Sequence, residues 1–488
     1  MTTIAARTKW VGLAGLSLAI MACTGQEAAD PDTMQKQLGD KVPRIVNGVE
    51  HAFLRFNEED SQAARDLNHA LRSLNLPVDR LGMGPSDSAG KPGRTLRSHG
   101  TTAADEATDF LTEHVFSKEN YEGDGVYRLR GEDFCENTSD DGHGMEDPDT
   151  ACIEKFNEAE FRIRAVVSDA SIELTLLVGP GRAEPLTLEA DADSVSIALD
   201  LAEAKKALEH LSKVFEEDMV LPTVMEGVIA FSLTLNGEED ATASITIRKA
   251  VRIEGNIGEK PVAFSTAAGE ILKIRGQGKE RRLSVDVNVG PTTLRMPWPN
   301  DEEDSSPITG TLAVDLKGLS ASTVLEDGMD TLRFSNIGLG DGTSSIKLDD
   351  ENLLTVDVNE NANRRFALNI VPGPMGGAPS FVVEPSFDLK IGLSLKALVD
   401  QGQDINPYLV DETFRIGLDG TTPRIKVINP EDAPARIRVM SGQLSLESRS
   451  ALNESLSAQA GQCLVERNED AVQGKHPILS HLNVISCE

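Results

Sequence analysis

The residues best placed to do chemistry are five cysteines, eight histidines and one dense acidic loop. From Glu132 to Asp149 the chain carries Glu132, Asp133, Glu136, Asp140, Asp141, Glu146, Asp147 and Asp149, with Cys135 and Cys152 inside or beside the run. A hard cation such as Ca²⁺ takes several oxygen ligands from a tight turn, and a Cys135–Cys152 bridge would hold such a turn. Asp140, Asp141, Glu146, Asp147 and Asp149 are therefore the candidate calcium ligands. Their spacing does not match an EF-hand, and a solvated acidic loop is the competing reading. His143 stands alone in the loop, too little for a transition-metal site.

Catalytic fingerprints are missing. There is no His-Glu-x-x-His, no Walker loop, no Gly-x-Gly-x-x-Gly and, past the first two dozen residues, no Gly-x-Ser-x-Gly. Ser344-Ser-Ile-Lys347 has the spacing of a Ser-x-x-Lys nucleophile. The related stretch further on has Pro423 where Ser344 stands, so the spacing is read as chance. Carboxylates are so many that no acid–base pair can be picked out by position, and a triad is defined by geometry rather than order.

The cysteines divide by position. Arg7 and Lys9 precede an apolar run from Trp10 to Ala22, too short to span a bilayer and ending in small residues, as a secretory signal does. Ile20-Met21-Ala22-Cys23 resembles the lipobox of bacterial lipoproteins, with Met21 an unusual neighbour for the cysteine. The resemblance implies cleavage before Cys23, a diacylglycerol on its sulfur and an acyl chain on its new amino group. Several acyl chains anchor stably where one is marginal. Thr24 in place of an aspartate looks like the outer-membrane form of the sorting signal. With Cys23 lipidated, Cys135, Cys152, Cys463 and Cys487 remain, an even number suited to an oxidising compartment. Of three pairings, the local one, Cys135–Cys152 with Cys463–Cys487, is expected. Metal ligation is the rival, without a Cys-x-x-Cys to support it.

Charge narrows the partners. Forty-seven Lys and Arg against 79 Asp and Glu give −32. That field repels phosphate backbones and anionic headgroups, so nucleic acid is excluded and the membrane is reached through the anchor only. Aromatic residues are 4% of the chain, too few for a sugar-binding platform of exposed rings.

The elements that must position these groups are strands. Arg281-Arg-Leu-Ser-Val-Asp-Val-Asn-Val289 has apolar residues at every second position and is closed by Gly290-Pro291. Arg364-Arg-Phe-Ala-Leu-Asn-Ile370, closed by Gly373-Pro374, looks like a second copy. Ile172, Leu174, Leu176 and Val178, before Gly179-Pro180, look like an earlier one. After each comes another alternating strand: Ser194–Leu201, Thr311–Leu319 and Phe387–Leu398. Ile337 to Leu348 aligns with Ile416 to Val427 without a gap, sharing Asp-Gly turn signals and Ile-Lys pairs. Asp200-Leu-Ala-Glu203 caps a helix with the stripe Leu201, Ala204, Leu208, Leu211 and Phe215. Further helices are expected from Asn57 to Leu76 and from Ala103 to Phe116.

The expected fold is mainly β with a few covering helices: three related antiparallel modules, either sandwich-like or one continuous curved sheet. The expected divisions are a signal at 1–22, a flexible tether at 23–49 and a helical, acidic-loop region at 50–157. Modules follow at 158–278, 279–361 and 362–450, then a disulfide-pinned tail at 451–488. Inserts at Trp298–Asp304 and Val371–Pro379 are expected on a common rim. Three functions fit such a chain. The first is a non-catalytic binding or scaffolding lipoprotein of the cell envelope, with a protein or small apolar ligand as partner. The second is a carrier sheltering an apolar ligand between sheet and helix. The third is a hydrolase with a dispersed carboxylate or metal site.

Overall fold

The structure, a computed structural model, describes residues 27–39, 45, 108–135, 150–168, 171–216, 219–237, 239–257, 260–298, 310–326, 332–358, 365–371, 380–403, 405, 407–428, 435–449, 453–466, 476 and 478–487. It is mostly β, with a large antiparallel sheet and a few helices, as the alternation predicts. The helix expected at 57–76 lies outside the described residues. Two compact units are found rather than three modules. Among the described residues, the first holds those up to 253 with 274–279, and the second holds 254–273 with those from 280 onward.

In the first unit the strands are β1 (Glu27–Ala28), β2 (Tyr121–Gly123), β3 (Val126–Arg128), β4 (Phe161–Val167), β5 (Ile172–Val178), β6 (Ala183–Ala190), β7 (Ser194–Asp200), β8 (Val224–Leu235) and β9 (Asp240–Ile257), which crosses the boundary at 253. β4 to β8 pair consecutively as an antiparallel meander. Directly opposed residues share a face. Ile163, Ala165, Val167, Ile172, Leu174, Leu188, Ala190, Val195 and Leu233 thus form one apolar surface, buried in a core with Leu111, Val115, Phe116 and Tyr127.

Within the span expected as a tether, the described residues 27–39 are folded onto the first unit. Glu27 and Ala28 pair with Val167 and Val166, and residues 31–39 are helical, with Met34 and Leu38 fully buried in that core. Asp30 starts this helix by accepting from the Thr33 amide at 2.8 Å. Tyr127 Oη donates to the Ala29 carbonyl at 2.6 Å, and burial pushes its phenol above the ordinary tyrosine range.

The Leu201–Phe215 helix is capped by Asp200, which accepts from the Ala202 and Glu203 amides. Glu203 does not close the box. It accepts from the Glu184 amide and from Lys206 instead. Leu201, Ala204, Ala207 and Val214 are the buried face, rotated from the expected stripe because Ala207, not Leu208, meets Val178 and Ala183.

The second unit is built from β10 (Lys260–Thr266), β11 (Gly269–Gln277, shared with the first), β12 (Arg282–Val289), β13 (Thr292–Trp298), β14 (Gly310–Leu316), β15 (Leu319–Glu326), β16 (Leu332–Leu339), β17 (Ser344–Leu348), β18 (Glu351–Val358), β19 (Arg365–Val371), β20 (Ser380–Glu384), β21 (Phe387–Ser394), β22 (Asp411–Ile428), β23 (Arg436–Ser448), β24 (Ser455–Gln459), β25 (Gln462–Glu466) and β26 (Leu482–Ser486). Registers sort them into two walls. Wall A runs β12, β15, β16, β19, β20, the second part of β22, the first part of β23, β25 and β26. Wall B runs β10, β13, β14, β17, β18, β21, the first part of β22, the second part of β23 and β24.

Every described crossover between the walls falls at the same end of the strands. The crossovers lie at 290–291, 317–318, 340–343, 385–386, 419–424, 440–443 and 460–461. Connections within a wall fall at the other end. The unit is therefore a sheet folded once along a spine, with a free edge opposite. Neighbouring crossovers stack tightly: a Cβ on Gly340 would sit 2.1 Å from the Lys317 carbonyl oxygen, and one on Gly442, at φ +78°, 2.3 Å from that of Asp419.

This topology corrects the duplication. β12 runs toward the spine and crosses to wall B at Gly290-Pro291, whereas β19 runs away from the spine and is followed by β20 of its own wall. Ile337 to Leu348 passes from wall A to wall B, and Ile416 to Val427 from wall B to wall A. Their similarity reflects a shared task, crossing the spine, performed in opposite directions.

Candidate functional site: an apolar slot between two walls

The facing surfaces of the walls follow from the registers. On wall A, Leu283, Val285, Val287 and Val289 lie opposite Leu325, Thr323, Ala321 and Leu319, and the surface continues through Phe334, Leu368, Ile370, Phe381 and Val383. On wall B it runs through Phe264, Leu294, Met296, Leu312, Val314, Ile346, Leu354, Val356, Ile391 and Leu389. Threonine and serine are its polar members, Thr266 and Thr292 hydrogen-bonding to each other near the spine. The outer surface of wall B carries ion pairs such as Arg415–Asp388, Arg295–Asp350 and Lys317–Asp315, whereas on wall A the outward-facing Ala367, Asn369 and Val382 are buried. Hydrogen bonding to Asp388 holds the Arg415 guanidinium above its ordinary pKa.

Packing changes along the slot. At the end formed by β22 to β25, Leu418, Val439, Leu444, Ala458 and Leu464 are at most 2% exposed, in one cluster drawn from both walls. Toward β10 the picture differs. Among the described hydrophobic residues between 260 and 358, only Leu325, Leu348 and Val358 are buried. The cluster of Leu283, Leu325, Phe334, Leu368, Ile370 and Phe381 belongs to wall A alone. Wall B presents Leu294, Met296, Leu312 and Val314 half-buried. On the same face of wall B, Leu348 and Val358 are buried, so burial along this face is uneven rather than continuous as at the β22 to β25 end.

Near the packed end, the free edge is strapped. His476, Glu412 and Ser448 are buried together, both ring and carboxylate with no exposure. Glu412 accepts from Ser448 Oγ at 2.9 Å, from the Thr413 amide at 3.0 Å and from His476 Nε2 at 3.2 Å. His476 Nδ1 accepts from the Ile478 and Leu479 amides, so the ring proton sits on Nε2. The residues are those of a hydrolytic triad, but the carboxylate lies in the middle and the serine does not reach the histidine. A serine bonded to the acid is not activated by the base. The trio is a clasp holding His476, and through its ring residues 478–481, to β22 and β23.

A hollow of about 230 Å³ lies on the polar surface of the first unit, lined by Thr187, Glu189, Ser196, Ala198, Asp200, Val228 and Arg248. Arg248 already donates to Ser196 Oγ at 2.7 Å.

The structure brings Cys135 to 2.09 Å from Cys152, and Cys463 and Cys487 to a similar bonding distance, the pairings expected from local spacing. Cys23, His143 and the candidate calcium ligands Asp140, Asp141, Glu146, Asp147 and Asp149 lie outside the described residues. Among the described residues no three His, Cys, Asp or Glu converge on a metal-sized space, and no helix is long and apolar enough to cross a membrane. Both inserts start at the free edge but on opposite walls, since Trp298 ends β13 and Val371 ends β19. The slot's residues were visible in the sequence as strand alternation. The clasp was not, because its members are 36 and 64 residues apart. No protein-family model, curated protein or solved structure matches the chain.

Proposed function

We propose that this chain is an exported, lipid-anchored binding protein of the cell envelope whose second unit holds a lipid acyl chain between its walls. The observation that carries the reading is the one-sided cluster of wall A facing half-buried aliphatic residues of wall B. The walls offer methyl and phenyl groups, while their backbone donors and acceptors are spent in the ladders. An extended polypeptide in the slot would leave its own amides unpaired, which is costly, and a hydrocarbon chain has none. Size agrees. Between β12 and β19 wall A spans three strand spacings, about 14 Å, and between β10 and β21 wall B spans five, about 24 Å. Half the hydrocarbon core of a bilayer, the depth reached by one acyl chain, is about 15 Å. The carrier reading at the sheet–helix interface is not retained, because the Leu201–Phe215 helix packs its face against Val178 and Ala183.

The test uses the body from residue 24 onward, purified without its anchor, extracted with organic solvent and analysed by mass spectrometry. About one equivalent of acyl lipid is expected, or uptake of one equivalent of added fatty acid by stripped protein. Neither bound lipid nor uptake would refute the proposal. The anchor is tested separately: Cys23→Ser should leave the membrane fraction, and unchanged retention there would refute lipidation.

A further inference from the structure

We infer that the outward surface of wall A over β22 and β23 docks on anionic lipid headgroups. Alternation dictates which residues face out there. Ile425, Ile437, Val439 and Leu464 point into the core, so Arg424, Lys426, Arg436 and Arg438 point away from it. Lys426 lies directly opposite Arg438, a like-charge pairing that works against a sheet. Arg436 stands two residues along the same strand from Arg438, about 7 Å away. Arg333, in β16, also faces out, since Phe334 faces in. Glu384 is shared between Arg333 at 3.2 Å and Arg424 at 3.4 Å. Among the described residues, Lys426, Arg436 and Arg438 have no ion-pair partner. Wall B differs: Arg415 is bonded to Asp388 and opposes Glu447, and Lys390 opposes Asp357.

The burial of Val382 in β20 does not extend over these cations, for Arg436 and Arg438 are exposed and Lys426 is half-buried. The row through Lys426 and Arg438 continues through Cys463 to Ile485, and Met440 follows two residues after Arg438. Ile485 and Met440 are each 45% exposed. Unpaired cations beside exposed apolar side chains point to the partner. A lipid surface offers both complements at once, phosphate oxygens for the cations and hydrocarbon beneath them for Ile485 and Met440. An acidic protein would have to bring an apolar surface of its own. Summed over the chain the charge is −32, the ground for expecting no direct contact with anionic headgroups. At physiological salt, however, exposed charges are screened beyond about 8 Å, so a surface acts through its own sign. The inference needs neither the anchor nor the acyl-chain reading.

The experiment is co-sedimentation of the body from residue 24 onward, without its anchor, with vesicles of phosphatidylcholine alone or mixed with phosphatidylglycerol. Wild type should bind the mixed vesicles, less as salt is raised, and bind phosphatidylcholine alone far more weakly. Each cation at such a surface is worth about fivefold, the equivalent of about 1 kcal/mol. Lys426→Ser with Arg438→Ser should therefore weaken binding about 25-fold. Lys260→Ser with Lys396→Ser, which removes the same charge from two other exposed sites, should change it little. The urea midpoint shows that each variant is folded, and the lipid and salt series of wild type carries the test if the patch variant is not. No binding of wild type to mixed vesicles, equal binding to both lipids, or equal losses in the two double variants would overturn the proposal. Binding to soluble polyglutamate with none to vesicles would assign the patch to an acidic polypeptide and overturn it as well.

Discussion

If the interior of the second unit is a slot at one end and a core at the other, the same truncation must cost different amounts along it. Leu444 is 2% exposed and touches side chains of both walls, so Leu444→Ala loses the transfer energy and leaves an enclosed cavity. About 3–4 kcal/mol is expected, the middle of the range for buried leucines. Leu294 is half-buried, beside the half-buried Phe264 and Val314. Leu294→Ala should forfeit about half of a ~2 kcal/mol burial and create no sealed void, about 1 kcal/mol in all. The assay is urea unfolding of stripped protein, because a bound ligand would add its own stabilisation. Trp10 and Trp298 are the only tryptophans, so a body beginning at residue 24 reports through Trp298 in β13. With a slope of ~3 kcal/mol per M, the midpoint should fall by about 1 M for Leu444→Ala and about 0.3 M for Leu294→Ala. Equal shifts would mean that the walls are packed throughout, and the slot would have to be abandoned.

Three further outcomes are expected. Replacing Cys463 and Cys487 together by serine should cost the second unit about 3.5 kcal/mol, the loop-closure value for a 24-residue separation, read from the same urea transition. Glu412→Gln puts an amide NH₂ where the carboxylate accepts from three donors, so one buried hydrogen bond fails. A loss of about 1–3 kcal/mol is expected, with no effect on fatty-acid affinity at the β10 end. Asp30→Ala should destabilise the first unit by about 1 kcal/mol near neutral pH. The Thr33 amide holds the Asp30 carboxyl below its ordinary value, so its contribution is present above the unfolded-state pKa and is lost as pH falls through the folded value. The wild-type and Asp30→Ala unfolding curves should therefore converge in acid.

The sequence made the strands legible because alternation is local: Leu283, Val285, Val287 and Val289 declare a shared face without help from any other segment. It could not say which strand lies beside which. β12 pairs with β15 and not with β13, its neighbour in the chain, and only that non-local choice separates two walls from a simple meander. The aligned Ile337 and Ile416 stretches were legible as similar but not as opposite in direction, since each crosses the spine through an Asp-Gly turn, Asp341-Gly342 in one and Asp419-Gly420 in the other. Asp30, Met34 and Leu38 carried the signal of a capped helix with two residues on one side. Set in an otherwise polar stretch, they were too few to outweigh a tether. The cysteine pairing was legible because both partners lie close in the chain. The clasp depends on tertiary placement of ordinary residues.

The single fold along a spine also fixes how the second unit deforms. Ladder hydrogen bonds run within each wall, and among the described registers the walls share backbone pairing only through β22 and β23, which belong to both. Spreading the walls at that end would tear these double-wall strands and pull on the His476–Glu412–Ser448 clasp. At the other end the equally long β9 pairs with both β10 and β11, so parting the walls costs backbone rungs there too, and the unit resists opening at both ends.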